Sequence, residues 1–361
     1  MRIISFLFLF FIGFAVFPQQ KDWDHVDQKI ARIPASAEKS IPALSKWINV
    51  EFLAKPERVR AIQRWIAMNL KYDFNSSIED LTKKENPEIV ASAFRTRKSV
   101  CGGYAGLMDS LCKLVGIQSY VIDGYTIQDD KINPNPHAWV AAKIDEKWWI
   151  FDPTWSSGRL VNGRYEHEFD ESYFMVPPQK MILSHIPFDP IWQFLEFPQY
   201  ATNDKVFRTT SRYDFIDSIQ LHQQLSNKLQ ITNEIRRINE FQATNQAIAK
   251  RLSFLYDNLD VELYNENIKL YNKAIKNYNE AVTNWDAYID FRNKHLDDIQ
   301  HVKKRMPDLN KILDQLGHCS NLLQQMKELT SDLANGVFDL RRAIKSMKSQ
   351  IQEEKKLINN S

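Results

Sequence analysis

Ser99-Val100-Cys101-Gly102-Gly103-Tyr104-Ala105 is the stretch from which the fold can be read. A turn with adjacent glycines opens the run Tyr104–Val115, in which Leu107, Leu111, Leu114 and Val115 share one face at helical spacing. Gly116 then stands where a helix C-cap favours glycine. The spacing predicts a helix with Cys101 at its N-terminus. Upstream, Pro56-Glu57-Arg58-Val59 predicts a helix start, because Pro is tolerated in the first turn and Glu meets the positive helix end. Asn86-Pro87-Glu88 predicts another. Downstream, Gln118–Tyr125, Ala138–Ile144 and Trp148–Asp152 read as strands, with Asp145-Glu146-Lys147 turning the last two into a hairpin. Helices followed by an antiparallel sheet make an α+β domain.

Composition bounds the rest. The chain has 361 residues, 43% of them hydrophobic, and a formal charge of only +2, which argues against a basic nucleic-acid binder or an acidic solvating tail. Ten Gly and three Cys exclude collagen-like and disulfide-framework classes, and nine Trp exclude wholesale disorder. All but one of the 14 Pro and all but one of the nine Trp precede residue 201. Residues 22–200 therefore read as the α+β domain, 201–216 as a connection and 217–361 as a helical or coiled-coil region. In that region Leu309, Ile312, Leu313 and Leu316 repeat at helical spacing, as do Leu322, Leu323, Met326, Leu329 and Leu333. Helix breaks are expected near Asp257–Asp260 and at Met306-Pro307-Asp308. An antiparallel bundle or coiled-coil spacer arm is the plainer reading of this half, and a docking module for a protein partner or for the cell envelope the sharper one.

Arg2 is the one early charge before an almost wholly apolar run, Ile3 to Phe17. That run is shorter than the roughly 20 residues a bilayer span needs. With polar Gln19-Gln20-Lys21 after it, residues 1–20 have the pattern of a signal peptide. An uncleaved anchor is the alternative, since Gly13-Phe14-Ala15 is the nearest small-x-small sequence. Export is expected, to periplasm, envelope or medium, with no transmembrane helix after signal removal. Thiols in such compartments tend to pair. Cys101, Cys112 and Cys319 are odd in number, so at least one is free or bonded to another molecule. Cys112, between Leu111 and Leu114, reads as a buried core thiol.

Three residues can act together. Cys101 lies at a helix N-terminus, where the dipole and free N–H groups stabilise a thiolate. Gly102 and Gly103 would leave room for a substrate backbone. His137 follows Asn133-Pro134-Asn135-Pro136 and opens one hairpin strand, and Asp152 ends the other, before Pro153. If His137 stands opposite Thr154, Asp152 is its diagonal neighbour on the same face. A nucleophile, a base and an orienting carboxylate need that closeness. Singly, each residue has a plainer reading: a buried thiol, a structural histidine, a turn aspartate.

Val100-Cys101-Gly102-Gly103-Tyr104-Ala105, His137-Ala138-Trp139 and Trp148-Trp149-Ile150-Phe151-Asp152-Pro153-Thr154-Trp155 resemble the transglutaminase-like superfamily, and more narrowly its kyphoscoliosis-peptidase and cytokinesis-protein branch. Arg60-Ala61-Ile62, Trp65-Ile66 and Tyr72-Asp73 resemble its segment before the Cys. Tyr173-Phe174, His185-Ile186-Pro187 and Trp192-Gln193 resemble its segment after the Asp. The likeness covers residues 24–200. It implies a papain-like core, a helix carrying Cys on an antiparallel sheet carrying His and Asp. It also implies Cys101 as nucleophile, His137 as base and Asp152 as its orienter. Val140 stands where relatives often carry Asn. A side-chain oxyanion donor upstream is usual in the superfamily. Tyr72 is a candidate, with a core aromatic as its other reading.

Trp139, Trp148, Trp149 and Trp155 read as core or as walls of an acyl groove. His167 and His185 lack ligand spacing, so no metal is expected, and no phosphate-cradling loop or other cofactor motif is present. Two functions follow. One is an exported cysteine hydrolase or acyltransferase acting on amide bonds of proteins or peptides. The other is a scaffold or interaction module whose thiol is incidental.

Overall fold

The computed structural model describes residues 23–75, 86–162, 164–202, 205–240 and 244–360. Residues 1–20, expected as a signal peptide, lie outside them. The chain divides into two units, Met1–Ile216 and Asp217–Ser361.

The first unit opens with α1 (Asp24–Ile30), α2 (Ile41–Glu51) and α3 (Lys55–Asn69). Ser40 caps α2 through its hydroxyl, which accepts from the Ala43 N–H at 3.2 Å, and Pro56 sits in the first turn of α3. After α4 (Asn86–Thr96) comes α5 (Cys101–Leu114). Its helix already includes Cys101, and Gly116, at φ +76°, ends the segment in the left-handed conformation that glycine tolerates. Short β1 (Lys71–Tyr72) and β2 (Lys98–Ser99) pair in parallel.

The sheet has four strands, β3 (Ser119–Gln128), β4 (Lys131–Ile144), β5 (Lys147–Phe151) and β8 (His185–Pro187). Their order is β5-β4-β3-β8, with every pairing antiparallel. β4 starts before the predicted Ala138, through Pro134 and Pro136. β5 pairs only with Val140–Ile144, so the earlier part of β4 has an open edge where proline costs no ladder bond. Between β5 and β8, β6 (Gly158–Val161) and β7 (Arg164–His167) form a separate hairpin.

The core lies between the helices and the sheet. Trp65 and Ile62 of α3, Leu107 and Leu111 of α5, and Val140 and Ala142 of β4 are fully buried in one cluster. Gly103 has a packing role, because a Cβ there would meet Ser99 and Ala93. Gly102 has nothing within 4 Å, so only one of the two glycines leaves open space. Cys112 is buried in this core. The stretch expected as a connection holds β10 (Lys205–Arg208), which pairs with β9 (Gln199–Thr202).

Beyond it run α6 (Phe215–Gln224), α7 (Asn227–Glu240), α8 (Gln246–Lys294), α9 (Ile299–Lys303), α10 (Met306–Gln325) and α11 (Ser331–Asn360). The break at Pro307 occurs as predicted, with Pro in the first turn of α10. No break occurs near Asp257–Asp260. Asp257 and Asp260 are exposed and the stretch holds neither Gly nor Pro, so the propensity cost is small and packing of the whole helix prevails. Ala274, Ala281 and Tyr288 of α8 meet Leu309, Leu316 and Leu323 of α10 and Val337 and Ile344 of α11 in a second core.

Candidate active site

Asp152 lies at the floor of the site, one residue beyond β5 and fully buried. Its Oδ1 accepts the backbone N–H groups of Thr154 (2.8 Å) and Trp155 (3.0 Å), an Asx turn that fixes the carboxylate before any side chain reaches it. α3 supports this turn from below. Buried Gln63 donates from Nε2 to Ser156 Oγ at 2.8 Å and to the Tyr173 carbonyl at 3.1 Å. Arg60, also buried, is held by Asp27 and by Glu171, the latter through two bonds of 2.6 Å. Glu171 lies two residues before Tyr173, so this cluster anchors the same segment.

His137 donates from Nε2 to Asp152 Oδ2 at 2.7 Å. Val140 pairs with Phe151 and Ala141 with Ile150, a register that continued outward sets His137 opposite Thr154. Burial disfavours the imidazolium. Asp152, and after it neighbouring Cys101, outweigh it and lift the His137 pKa to about 10. Asp152 shows the mirror image: burial opposes its charge, yet bonds to two histidines hold it well below the usual carboxylate range. Cys101 and His137 line one cavity of about 350 Å³, with Tyr72 and Trp155 among its walls. The structure thus brings His137 onto Asp152 and sets Cys101 on the wall of the cavity that His137 lines. Tyr72, pushed up to about 12 by burial and then by the charges of Cys101 and Asp152, keeps its proton and can donate a hydrogen bond. Of the four tryptophans considered, Trp155 walls the cavity, Trp139 is buried, and Trp148 stacks on Phe194.

The sequence reading missed the second histidine. His185 on β8 is buried, and its Nε2 donates to the same Asp152 Oδ2 at 3.1 Å. A carboxylate cannot donate, so the proton is on Nε2, and Nδ1 accepts from the Ser184 hydroxyl at 2.8 Å. Burial, aided by His137, depresses the His185 pKa, so it is the neutral member of the pair. His185-Ile186-Pro187 is among the stretches that carried the resemblance, and its position there was the available signal. His137, Asp152 and His185 are the one group among the described residues with the composition of a metal site, their donor atoms lying within 4.8 Å of one another. The geometry does not fit an ion. Both imidazoles already bond Oδ2 directly, and Oδ1 is taken by two N–H groups.

Residues 45–153 match the family model of the transglutaminase-like superfamily, a span that contains Cys101, His137 and Asp152. This part of the chain is a transglutaminase-like domain. Kyphoscoliosis peptidase of Homo sapiens is 32% identical over 151 residues, 40% of this chain and 22% of that protein. Lim and transglutaminase domain protein ltd-1 of Caenorhabditis elegans is 27% identical over 161 residues, 38% and 21% of the two chains. The match thus spans about a fifth of these relatives' length. Among solved structures, the periplasmic domain of TgpA from Pseudomonas aeruginosa is 21% identical, covering 38% of this chain and 49% of that one at a TM-score of 0.26. Among the described residues, no helix is long and apolar enough to cross a membrane.

Proposed function

We propose that the transglutaminase-like domain is a cysteine hydrolase or acyltransferase acting on amide bonds of proteins or peptides. The observation that carries this reading is His137, bonded to buried Asp152 at 2.7 Å and lining one cavity with Cys101. Cys101 attacks the amide carbonyl as a thiolate, and His137 gives its proton to the leaving amine. Asp152 holds the imidazole in the tautomer that this requires. The backbone N–H of Cys101, at the start of α5, and the neutral Tyr72 phenol are the donors for the oxyanion. Water or an amine then takes the acyl group. Export of the chain is part of the proposal, on the strength of the apolar run Ile3–Phe17.

The test needs no substrate. Iodoacetamide labelling, read by peptide mass spectrometry across mildly acid to alkaline pH, is compared in wild type and His137→Ala. Cys101 labels readily in neutral solution and loses most of that reactivity without His137. Cys112 stays inert, since burial pushes its thiol far up. If the His137 change makes no difference, the scaffold reading replaces this one.

A further inference from the structure

Two buried hydroxyls beside the catalytic cavity have no partner among the described residues. Thr126 Oγ1 and Thr154 Oγ1 are both buried and unbonded, and both residues line the cavity that holds Cys101 and His137. Thr126 is 1% exposed and Thr154 7%. A buried hydroxyl without a partner destabilises a fold, and valine would fill the same space without that cost. Two such groups in one catalytic cavity therefore point to a ligand.

Their placement says which ligand. Thr126 sits where the β3–β4 ladder slips, the register shifting between Tyr125 and Ile127. Bulges of this kind re-aim side chains beside active sites. On its other edge β3 pairs regularly with β8, Gly124 opposite Pro187 and Thr126 opposite His185. Gly124 also faces His137 across β4. Side chains alternate along a strand, so Thr126 shares the face of Gly124 and is the diagonal neighbour of His137. Thr154 belongs to the Asp152 turn, its N–H bonded to Oδ1 at 2.8 Å. Thr126 thus lies on β3, between the strands that carry His137 and His185, and Thr154 lies on the turn that carries Asp152.

We propose that Thr126 and Thr154 hold the incoming nucleophile, a water or a neutral primary amine, against His137. This rests on the reading of Cys101 as the acylated residue. Each hydroxyl can accept a hydrogen bond from the nucleophile or donate one to it. After acylation His137 is neutral, having given its proton to the first leaving amine. It then takes a proton from the bound water or amine as that atom's lone pair attacks the thioester carbonyl carbon. The C–S bond breaks, the acyl group leaves on the new oxygen or nitrogen, and Cys101 thiolate and His137 imidazolium are restored. Among the described residues lining the cavity, Arg159 is the one permanently charged side chain. A protonated amine finds no counter-charge there, so the neutral form, the one able to attack, is the form held.

The test uses the full chain and p-nitrophenyl acetate. The burst of p-nitrophenolate reads acylation, and the steady state, with water alone or with added glycinamide, reads deacylation. Thr126→Val and Thr154→Val keep the burst rate but slow the steady state about tenfold, the effect of one lost hydrogen bond. Thr126→Ser, which keeps the hydroxyl, restores it. The valine variants melt no lower than wild type, because they remove an unpaired group. Slowing with both acceptors, or with one alone, supports the proposal and names the nucleophile. An unchanged steady state beside a normal burst in both valine variants overturns this inference alone, as does a burst slowed as much as the steady state. A wild-type chain with no Cys101-dependent burst overturns the acyl-enzyme reading and this inference with it.

Discussion

Asp152→Asn is the most informative single change, because the structure dictates which way the new amide must face. In the wild type Oδ1 accepts two backbone N–H groups, from Thr154 and Trp155. Only an oxygen can remain there, since an NH₂ would point donors at donors. The amide nitrogen is therefore forced onto the Oδ2 position, where it meets Nε2 of both His137 and His185. It can only donate, so each imidazole must turn a bare Nε2 toward it and carry its proton on Nδ1. His137 then presents an N–H toward Cys101 and cannot accept the thiol proton. The carboxylate that does most to outweigh burial and lift the His137 pKa to about 10 is also gone, so its hold on a proton falls. At neutral pH the iodoacetamide labelling rate of Cys101 should fall about 10²–10³-fold, while far-UV circular dichroism is unchanged. Stability carries a second signature. A histidine whose folded pKa is raised stabilises the fold fully below its unfolded value, and that contribution is lost as pH rises through about 10. Wild type should lose melting temperature between about pH 7 and 10 from this source, and Asp152→Asn should not. Wild-type labelling in the variant, or an identical pH dependence of melting, would refute the coupling of Asp152 to His137.

His185→Leu removes one donor from the Asp152 carboxylate and should slow Cys101 labelling about tenfold. His185→Gln, whose amide N–H can stand where Nε2 does, should keep it within about threefold, and equal loss in both would reduce His185 to packing. Gly103→Ala should cost about 1–3 kcal/mol in urea denaturation by pressing on Ser99 and Ala93, whereas Gly102→Ala, with nothing within 4 Å, should leave stability unchanged. Arg60→Ala leaves Asp27 and Glu171 without their shared cation and should destabilise by roughly 3 kcal/mol. A change below about 0.5 kcal/mol in that urea midpoint would show that water replaces the guanidinium at no cost.

Local chemistry determined much of this protein. Pro56, Pro87 and Pro307 start helices, Gly116 ends one, and Asp145-Glu146 turns a hairpin with both residues at positive φ. Within that hairpin the period of two brings His137 and Asp152 to one face, so Cys101, His137 and Asp152 could be named from spacing and resemblance. Tertiary structure decided what lies far apart along the chain. His185 reaches Asp152 across 33 residues only because β8 docks on β3, and Arg60 meets Glu171 across 111. Thr126 comes beside His185 only because β3 pairs with β8. The long helix α8 passes through Asp257–Asp260 because Leu255 on one side and Ala274 and Ala281 on the other are buried along it. Turns and caps are satisfied by neighbours within a few residues, so the sequence displays them. A strand's distant partner is selected by the burial of whole faces, which depends on every element at once.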